Sequence, residues 1–289
     1  MNVLSLFDGM SCGQIALERA GIKVDNYFAS EVDKYAIKVT QANYPNTIQL
    51  GDVTNNCFWD IPEIDLIMGG SPCQGFSFAG KQLNFDDPRS KLFFSYVECL
   101  KTLKSRYFLL ENVKMKKEIQ DAISEILGVE PIKINSSLVS AQNRVRLYWT
   151  NIPGVCQPED KGMLLKDILE EGIVDRDKSR CIISSIGRTT EREYFKKHQG
   201  QMVYERPHGF NNGGITNRDK FATLRFATAH NYELKDKEGW RKITPIECER
   251  LQTVPDNYTN HASNSQRYKM LGNGWTVDVI AHILKGLNE

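Results

Sequence analysis

The chain has 289 residues, 40% of them hydrophobic and 25% charged, with a formal net charge of +1 at pH 7. That is length enough for one large core, or for a core with a smaller second lobe, in an ordinary globular protein. The near-zero charge leaves any nucleic-acid partner to local basic patches, not bulk attraction, and no run approaches the ~18–20 apolar residues that cross a bilayer.

The N-terminus, Met1-Asn2-Val3-Leu4-Ser5-Leu6-Phe7-Asp8, has no basic segment, and an acid ends its apolar run. It reads as a first strand over Val3–Phe7 and not as an export signal. Gly13–Ala20 has helical spacing, with Ile15, Ala16, Leu17 and Ala20 apolar and Gly21 as the stop. Tyr27–Ala29 is a short strand, and Tyr35–Ala42 a helix ended by Asn43-Tyr44-Pro45. Leu66-Ile67-Met68 is a strand running into Gly69-Gly70. Lys91–Leu103 is helical, Tyr107–Leu110 a strand, Ile119–Leu127 a helix ended by Gly128, and Arg146–Thr150 a late strand. Repeated strand–helix units predict an α/β fold with a doubly wound, mostly parallel sheet over residues 1–152.

The character changes near Pro153. Residues 153–240 are rich in Gly, Asn, Lys and Arg, with weak apolar periodicity and a turn at Asn211-Asn212-Gly213-Gly214. They read as a smaller, irregular second lobe, with a disordered insert as the alternative. Residues 241–289 then return to the first domain. Thr244-Pro245-Ile246-Glu247 is a helix start with a capping box, and Val277–Leu287 has helical spacing. The seven cysteines, Cys12, Cys57, Cys73, Cys99, Cys156, Cys181 and Cys248, are odd in number and scattered, with no CxxC. That spacing argues against a disulfide framework and a thiolate metal site, and for a reducing cytoplasm.

Chemistry gathers at the ends of the predicted strands. Phe7-Asp8-Gly9-Met10-Ser11-Cys12-Gly13 follows a strand and opens a helix, where α/β sheets bind ligands, but its spacing is not GxGxxG. Glu31 ends the second strand, where a carboxylate can accept from both ribose hydroxyls. Asp52, in Gly51-Asp52-Val53, stands where it can accept from an adenine amine. Strand-end acids also serve as turn formers and helix caps. Together with the first loop they outline an adenosine-shaped site without a pyrophosphate cradle, which favours S-adenosylmethionine over NAD. Gly69-Gly70-Ser71-Pro72-Cys73-Gln74-Gly75-Phe76-Ser77 presents Cys73 on a Gly/Pro-framed loop, whereas a lone cysteine is more often a small buried apolar residue.

Ser71-Pro72-Cys73-Gln74 resembles the nucleophile motif of the cytosine-C5 DNA methyltransferases. Glu111-Asn112-Val113 resembles that family's ENV motif, and Gln142-Asn143-Arg144-Val145-Arg146 its QxRxR motif. Arg250-Leu251-Gln252 with Pro255 resembles its RLQxxP segment, and Gly272-Asn273-Gly274-Trp275 its C-terminal GN motif. The motifs stand in the family's order and cover nearly the whole chain. The first loop departs from the usual bacterial FxGxGG and resembles the FDGxxxG version of phage-type enzymes and of the animal de novo DNA methyltransferases.

The resemblance implies methyl transfer from S-adenosylmethionine to C5 of a flipped-out cytosine in double-stranded DNA, leaving S-adenosylhomocysteine. It makes Cys73 the nucleophile at C6, Glu111 the group on N3 and Arg146 the group that polarises O2. Arg144 would support the Cys73 loop or a phosphate. It puts Phe7, Asp8, Gly9, Met10, Cys12, Glu31, Val32, Asp52, Val53, Pro72, Leu92, Asn273, Gly274 and Trp275 at the cofactor. Gln74 and Ser77 fall on the DNA side. So do Arg176, Lys178, Arg180, Arg188, Arg192, Lys196 and Lys197, a cluster whose usual reading is a solvated face. No metal and no membrane are implied, and a monomer is favoured. The rival readings are an RNA cytosine-C5 methyltransferase, a catalytically inactive DNA-binding relative, and a nucleotide-binding oxidoreductase.

Overall fold

The computed structural model describes residues 1–55, 60–71, 78–79, 82–83, 88–205 and 239–288. Its strands are β1 (Asn2–Leu6), β2 (Asn26–Ser30), β3 (Ile48–Gln49), β4 (Leu66–Gly69), β5 (Phe78–Ala79), β6 (Gln82–Leu83), β7 (Tyr107–Val113), β8 (Ile132–Asn135), β9 (Val145–Thr150), β10 (Met202–Glu205) and β11 (Gly239–Lys242). Its helices are α1 (Cys12–Ala20), α2 (Lys34–Asn43), α3 (Pro88–Leu103), α4 (Lys117–Leu127), α5 (Glu191–Lys196), α6 (Pro245–Leu251), α7 (Asn264–Asn273) and α8 (Val277–Leu284).

Seven strands form one sheet in the order β3-β2-β1-β4-β7-β9-β8. From β3 to β7 all neighbours are parallel, and β9 runs antiparallel to both β7 and β8. Strand residues alternate between two apolar layers, as the twofold period of a strand requires. Val3, Ala29, Leu66, Met68, Leu109 and Tyr148 face one layer, with α1, α2 and α8. Leu4, Leu6, Phe28, Ile67, Leu110, Leu147 and Trp149 face the other, with α3 and α4. Both faces are covered, which is why the strands read as continuous apolar runs.

The helix stops follow local chemistry. Gly21 and Gly128 close α1 and α4 at φ +73° each, a left-handed conformation that a Cβ disfavours. At α6, Thr244 Oγ1 accepts the Glu247 N–H at 3.1 Å and Glu247 Oε2 accepts the Thr244 N–H at 2.8 Å, a reciprocal capping box.

Three elements differ from expectation. β7 continues past Leu110 because Glu111, Asn112 and Val113 pair with Tyr148, Leu147 and Arg146 of β9. β8 is an additional strand beyond β9. α7, of sequence NSQRYKMLGN, is too polar to show an apolar stripe, and it buries Arg267, Met270, Leu271 and Gly272. Residues 153–205 are irregular, as expected, but packed: Leu165, Ile168, Ile182, Ile186 and Val203 share a layer with Cys248, Leu251 and Leu271. The antiparallel pair β10–β11 straddles residue 240. Among the described residues no helix is long and apolar enough to cross a membrane.

Candidate active site

β1 and β4 are adjacent, yet the chain leaves β1 toward β2 on one side and returns to β4 from the other. This reversal opens a crevice at their carboxyl ends, the usual ligand position of such sheets. The loop after β1 lines it in a tight, left-handed path, with Phe7 at φ 57°, Gly9 at φ 61° and Ser11 at φ 58°. Asp8 holds the loop from inside. Its carboxylate accepts from the Ser11 hydroxyl and, at 2.7 Å, from the Tyr27 hydroxyl. Burial pushes the Asp8 carboxyl up to about 6, against the pull of those hydrogen bonds. The Cys12 thiol is pushed up to about 12, chiefly by burial, so it packs as a neutral group. Glu31 is oriented by three backbone donors: Gly9 N–H at 2.7 Å on Oε2, with Val32 N–H at 2.7 Å and Asp33 N–H at 2.8 Å on Oε1.

The second wall comes from β7 and β9. The antiparallel register sets Val113 opposite Arg146 and Glu111 opposite Tyr148, so Glu111 and Arg146 are diagonal neighbours on one face. Arg146 Nε lies 2.8 Å from Glu111 Oε1, with both side chains largely buried. The Arg146 guanidinium also donates to Val145 O at 2.9 Å. A Cβ on Gly70 would stand 2.9 Å from Glu111 Oε2 and 3.0 Å from Trp275 Nε1, so the glycine is what lets β4 end against both. Asn112, on the opposite face, donates to Ser71 O at 3.2 Å and Ser71 Oγ at 3.3 Å. It thereby ties the end of β7 to the residue two before Cys73.

The third wall is the return of the chain after α7. Arg144 is buried and turned inward, donating to Ile182 O at 2.8 Å, Gly272 O at 3.3 Å and Gly274 O at 2.9 Å. Gln142 donates to Leu251 O at 2.6 Å and to Gln252 Oε1 at 2.9 Å. Gln252 in turn donates to Leu271 O at 2.6 Å and Gly274 O at 3.1 Å, and accepts from Thr276 Oγ1 at 2.9 Å. This buried network holds the Gly272–Trp275 segment over the loop after β1, where a Cβ on Gly274 would meet Met10 Cε at 3.0 Å.

These walls enclose a cavity of about 390 Å³. Of the expected cofactor residues, Phe7, Asp8, Gly9, Met10, Cys12, Glu31, Asn273, Gly274 and Trp275 line it, and so do Glu111, Arg144 and Arg146. Sequence reasoning did not single out Asp33, Ala36, Lys269 or Met270, which line it too; Lys269 Nζ pairs with Asp33 Oδ2 at 2.7 Å. Nothing in the local pattern brings α2 and α7 together, so this part of the rim had no sequence signature. Val32, Asp52, Val53 and Leu92 are not among the lining residues. Val32 is largely exposed beside Glu31 and Val53 is buried. Asp52 instead caps its own turn, accepting from Thr54 N–H at 2.8 Å and Thr54 Oγ1 at 2.9 Å, which lowers its carboxyl below the ordinary value. Arg144, expected to support the Cys73 loop or a phosphate, directs its described hydrogen bonds to the chain return; the Cys73 loop lies outside the described residues. Pro72, Cys73, Gln74 and Ser77 lie outside the described residues, as does the Asn211–Gly214 turn.

The basic cluster of the second lobe divides in two. Arg176 pairs with Asp175 at 2.9 Å and lies over the Tyr194 ring, 5.2 Å from its centroid. Lys178 donates to Ser137 O at 2.7 Å and Ser140 O at 3.2 Å. Arg180 donates to Tyr194 O at 3.3 Å and Gly200 O at 3.4 Å, over the same ring. Arg176 and Arg180 thus brace the lobe around Tyr194, and Lys178 ties the lobe to the first domain; all three are partly exposed. Arg188, Arg192, Lys196 and Lys197 are exposed on α5 and its flanks.

The family model described as C-5 cytosine-specific DNA methylase matches residues 1–127 and 135–289. The type II methyltransferase M1.ScrFI of Lactococcus lactis subsp. cremoris is 30% identical over 312 residues, spanning 99% of this chain and 78% of that protein. The orphan methyltransferase M.SPRI of Bacillus phage SPR is 36% identical over 188 residues, 60% of this chain and 43% of that one. A crystal structure of a DNMT2 variant from Spodoptera frugiperda matches with a TM-score of 0.68 at 22% identity, covering 100% of this chain and 99% of that one, a likeness of fold.

Proposed function

The chain belongs to the C-5 cytosine-specific DNA methylase family, and on that premise we propose that it methylates C5 of a cytosine flipped out of duplex DNA, through a covalent bond between Cys73 and C6. The observation that carries this reading is the ion pair of Glu111 with Arg146 on the wall of the same cavity that the loop after β1 and the Asn273–Trp275 segment line. Cytosine C5 is a poor nucleophile until a thiolate adds at C6 and makes an enamine. N3 and O2 are neighbours on the ring, and the carboxyl and guanidinium suit them: once Glu111 carries a proton it donates that proton to N3, while Arg146 donates to O2. Ser71 lines the cavity and is held by Asn112. Two residues of extended chain reach at most ~7 Å, which supports Cys73 as the nucleophile of this cavity.

The cavity suits S-adenosylmethionine by its donor set. Glu31 offers a fixed carboxylate to the ribose, Phe7 and Trp275 offer apolar surface, and the loop after β1 leaves backbone close to the ligand without a pyrophosphate cradle. When bound, that cofactor supplies an electrophilic methyl group. After C5 is methylated, the C5 proton passes to water: the C5–H electrons restore the C5–C6 double bond, the S–C6 bond breaks with its electrons returning to sulfur, and the Cys73 thiolate is freed. Because C6 is shielded within the stack, the base leaves the duplex first, at ~ a few kcal/mol. The exposed Arg188, Arg192, Lys196 and Lys197 give the second lobe a phosphate-facing surface.

Methyl transfer from labelled donor to duplex DNA, single-stranded DNA and RNA tests the reading. Duplex DNA should be labelled, Cys73→Ala should abolish transfer, and 5-fluorocytosine in the duplex should trap the protein covalently through the peptide bearing Cys73. Labelling of RNA alone, or a trapped peptide with another cysteine, would overturn it.

A further inference from the structure

Residues 179–182 of the second lobe run alongside residues 141–144. Ser179 N–H donates to Ala141 O at 2.7 Å and Asn143 N–H to Ser179 O at 2.8 Å, while Gln142 and Ser179 form a parallel bridge. Ile182 N–H donates to Gln142 Oε1 at 3.3 Å and Ile182 O accepts from Arg144. Between these bonds, Cys181 Sγ accepts from Arg144 Nη1 at 3.3 Å and from Arg146 Nη2 at 3.9 Å, long contacts that suit a large sulfur atom. On the other side of the segment, Arg180 is bonded to Tyr194 and lies over its ring. Tyr194 belongs to α5, whose exposed residues include Arg192 and Lys196.

We infer that residues 179–182 are a positioning strap for Arg146, in which Cys181 fixes the plane of the guanidinium and ties it to the helix that carries the exposed cations. This rests on the proposal that Arg146 acts on cytosine O2. A guanidinium has five N–H donors in one plane. Nε–H of Arg146 is directed to Glu111, one Nη1–H to Val145 O and one Nη2–H to Cys181. Two contacts leave the plane free to tilt about the line that joins them, and the third removes that freedom. One N–H on each terminal nitrogen is then left for the substrate. Cys181 touches neither base nor cofactor; it is a positioning residue, contributed by the lobe that the proposal assigns to DNA.

The test uses two substitutions that separate packing from hydrogen bonding. Cys181→Val keeps the volume and loses the acceptor; Cys181→Ser keeps an acceptor in a smaller atom. Single-turnover methylation of duplex DNA is measured at saturating DNA and cofactor, with cofactor affinity and thermal melting alongside. Cys181→Val should slow the chemical step about three- to tenfold, the worth of one modest hydrogen bond. Arg144 also donates to Cys181 but keeps its three carbonyl acceptors, so cofactor affinity and melting should shift little, and Cys181→Ser, whose oxygen sits farther from Arg146, should recover only part of the rate. In an Arg146→Lys background, Cys181→Val should cost nothing further, because the effect runs through that arginine. A Cys181→Val enzyme as fast as wild type, or one whose loss persists in the Arg146→Lys background and so runs through Arg144, would overturn the strap. A wild-type enzyme that leaves duplex DNA unmethylated would overturn the reaction proposed above, and the strap with it.

Discussion

Replacing Arg144 by methionine separates an internal clamp from a phosphate contact. The Arg144 side chain is buried, and its guanidinium is shared among Ile182 O, Gly272 O, Gly274 O and Cys181 Sγ. Gly274 O keeps a second donor in Gln252 and Ile182 O keeps one in the Cys181 thiol at 3.5 Å, but Gly272 O would be left under-satisfied. A buried orphan of this kind costs ~1–3 kcal/mol. Removing a buried charge offsets part of this, because its desolvation no longer has to be met. A net loss of about 1–2 kcal/mol is therefore expected, from a total stability of ~5–15 kcal/mol. Urea titration of Arg144→Met would read the loss as a lower midpoint. Calorimetry with S-adenosylhomocysteine should show weaker binding, since the Gly272–Trp275 segment loses one of its two ties. Binding to DNA should keep its salt slope, whereas loss of a phosphate contact would reduce that slope by ~1. A variant as stable as wild type with a shallower salt slope would refute the clamp and return Arg144 to the DNA.

Two further outcomes follow from the geometry. Neutralising Arg188, Arg192, Lys196 or Lys197 should each lower the salt slope of DNA binding by ~1 with the urea midpoint unchanged; Arg176→Met, Lys178→Met and Arg180→Met should do the reverse, and a uniform response of all seven would dissolve the division into surface and brace. For Asp8, burial raises the carboxyl from 3.8 to about 6 in the folded chain, so its favourable contribution is full below 3.8 and is lost as pH rises through about 6; Asp8→Asn should flatten the stability profile across that window in urea titrations at stepped pH, and an unchanged decline would assign it to another group.

Much of the sheet was legible because its strands are short apolar runs between turn residues and its helices carry apolar stripes. Ile15, Ala16, Leu17 and Ala20 announced α1, and Thr244 with Glu247 announced α6. α7 was not legible: its buried residues include Arg267 and Gly272, and a helix whose inner face is partly polar has no stripe to detect. The strand-end acids were visible, but their roles were not. Glu31 and Asp52 look alike in sequence, yet Glu31 lines the cavity whereas Asp52 does not and turns one carboxylate oxygen to Thr54, a difference set by where each loop turns. The basic run hid a similar division, because charge on a string does not say which side chains find Tyr194 or a backbone carbonyl on folding.

The motifs themselves were readable as separate words, and what the fold adds is that several are one object. Gln142, Arg144, Gln252 and Gly274 lie up to 132 positions apart, yet Arg144 and Gln252 meet on the same carbonyl and Gln142 reaches Gln252 directly. A buried polar network of this kind is costly when half satisfied and gains little over apolar packing when complete. Its advantage lies in geometry: each donor accepts only one arrangement of its partners. Here that arrangement sets the Gly272–Trp275 segment over the cofactor loop and seats the segment that holds Arg146 against the second lobe. Glu111 and Arg146 face the cavity that Gly274 and Trp275 also line. The second lobe and the Glu111–Arg146 pair are therefore joined by hydrogen bonds that the sequence distributes among four distant segments.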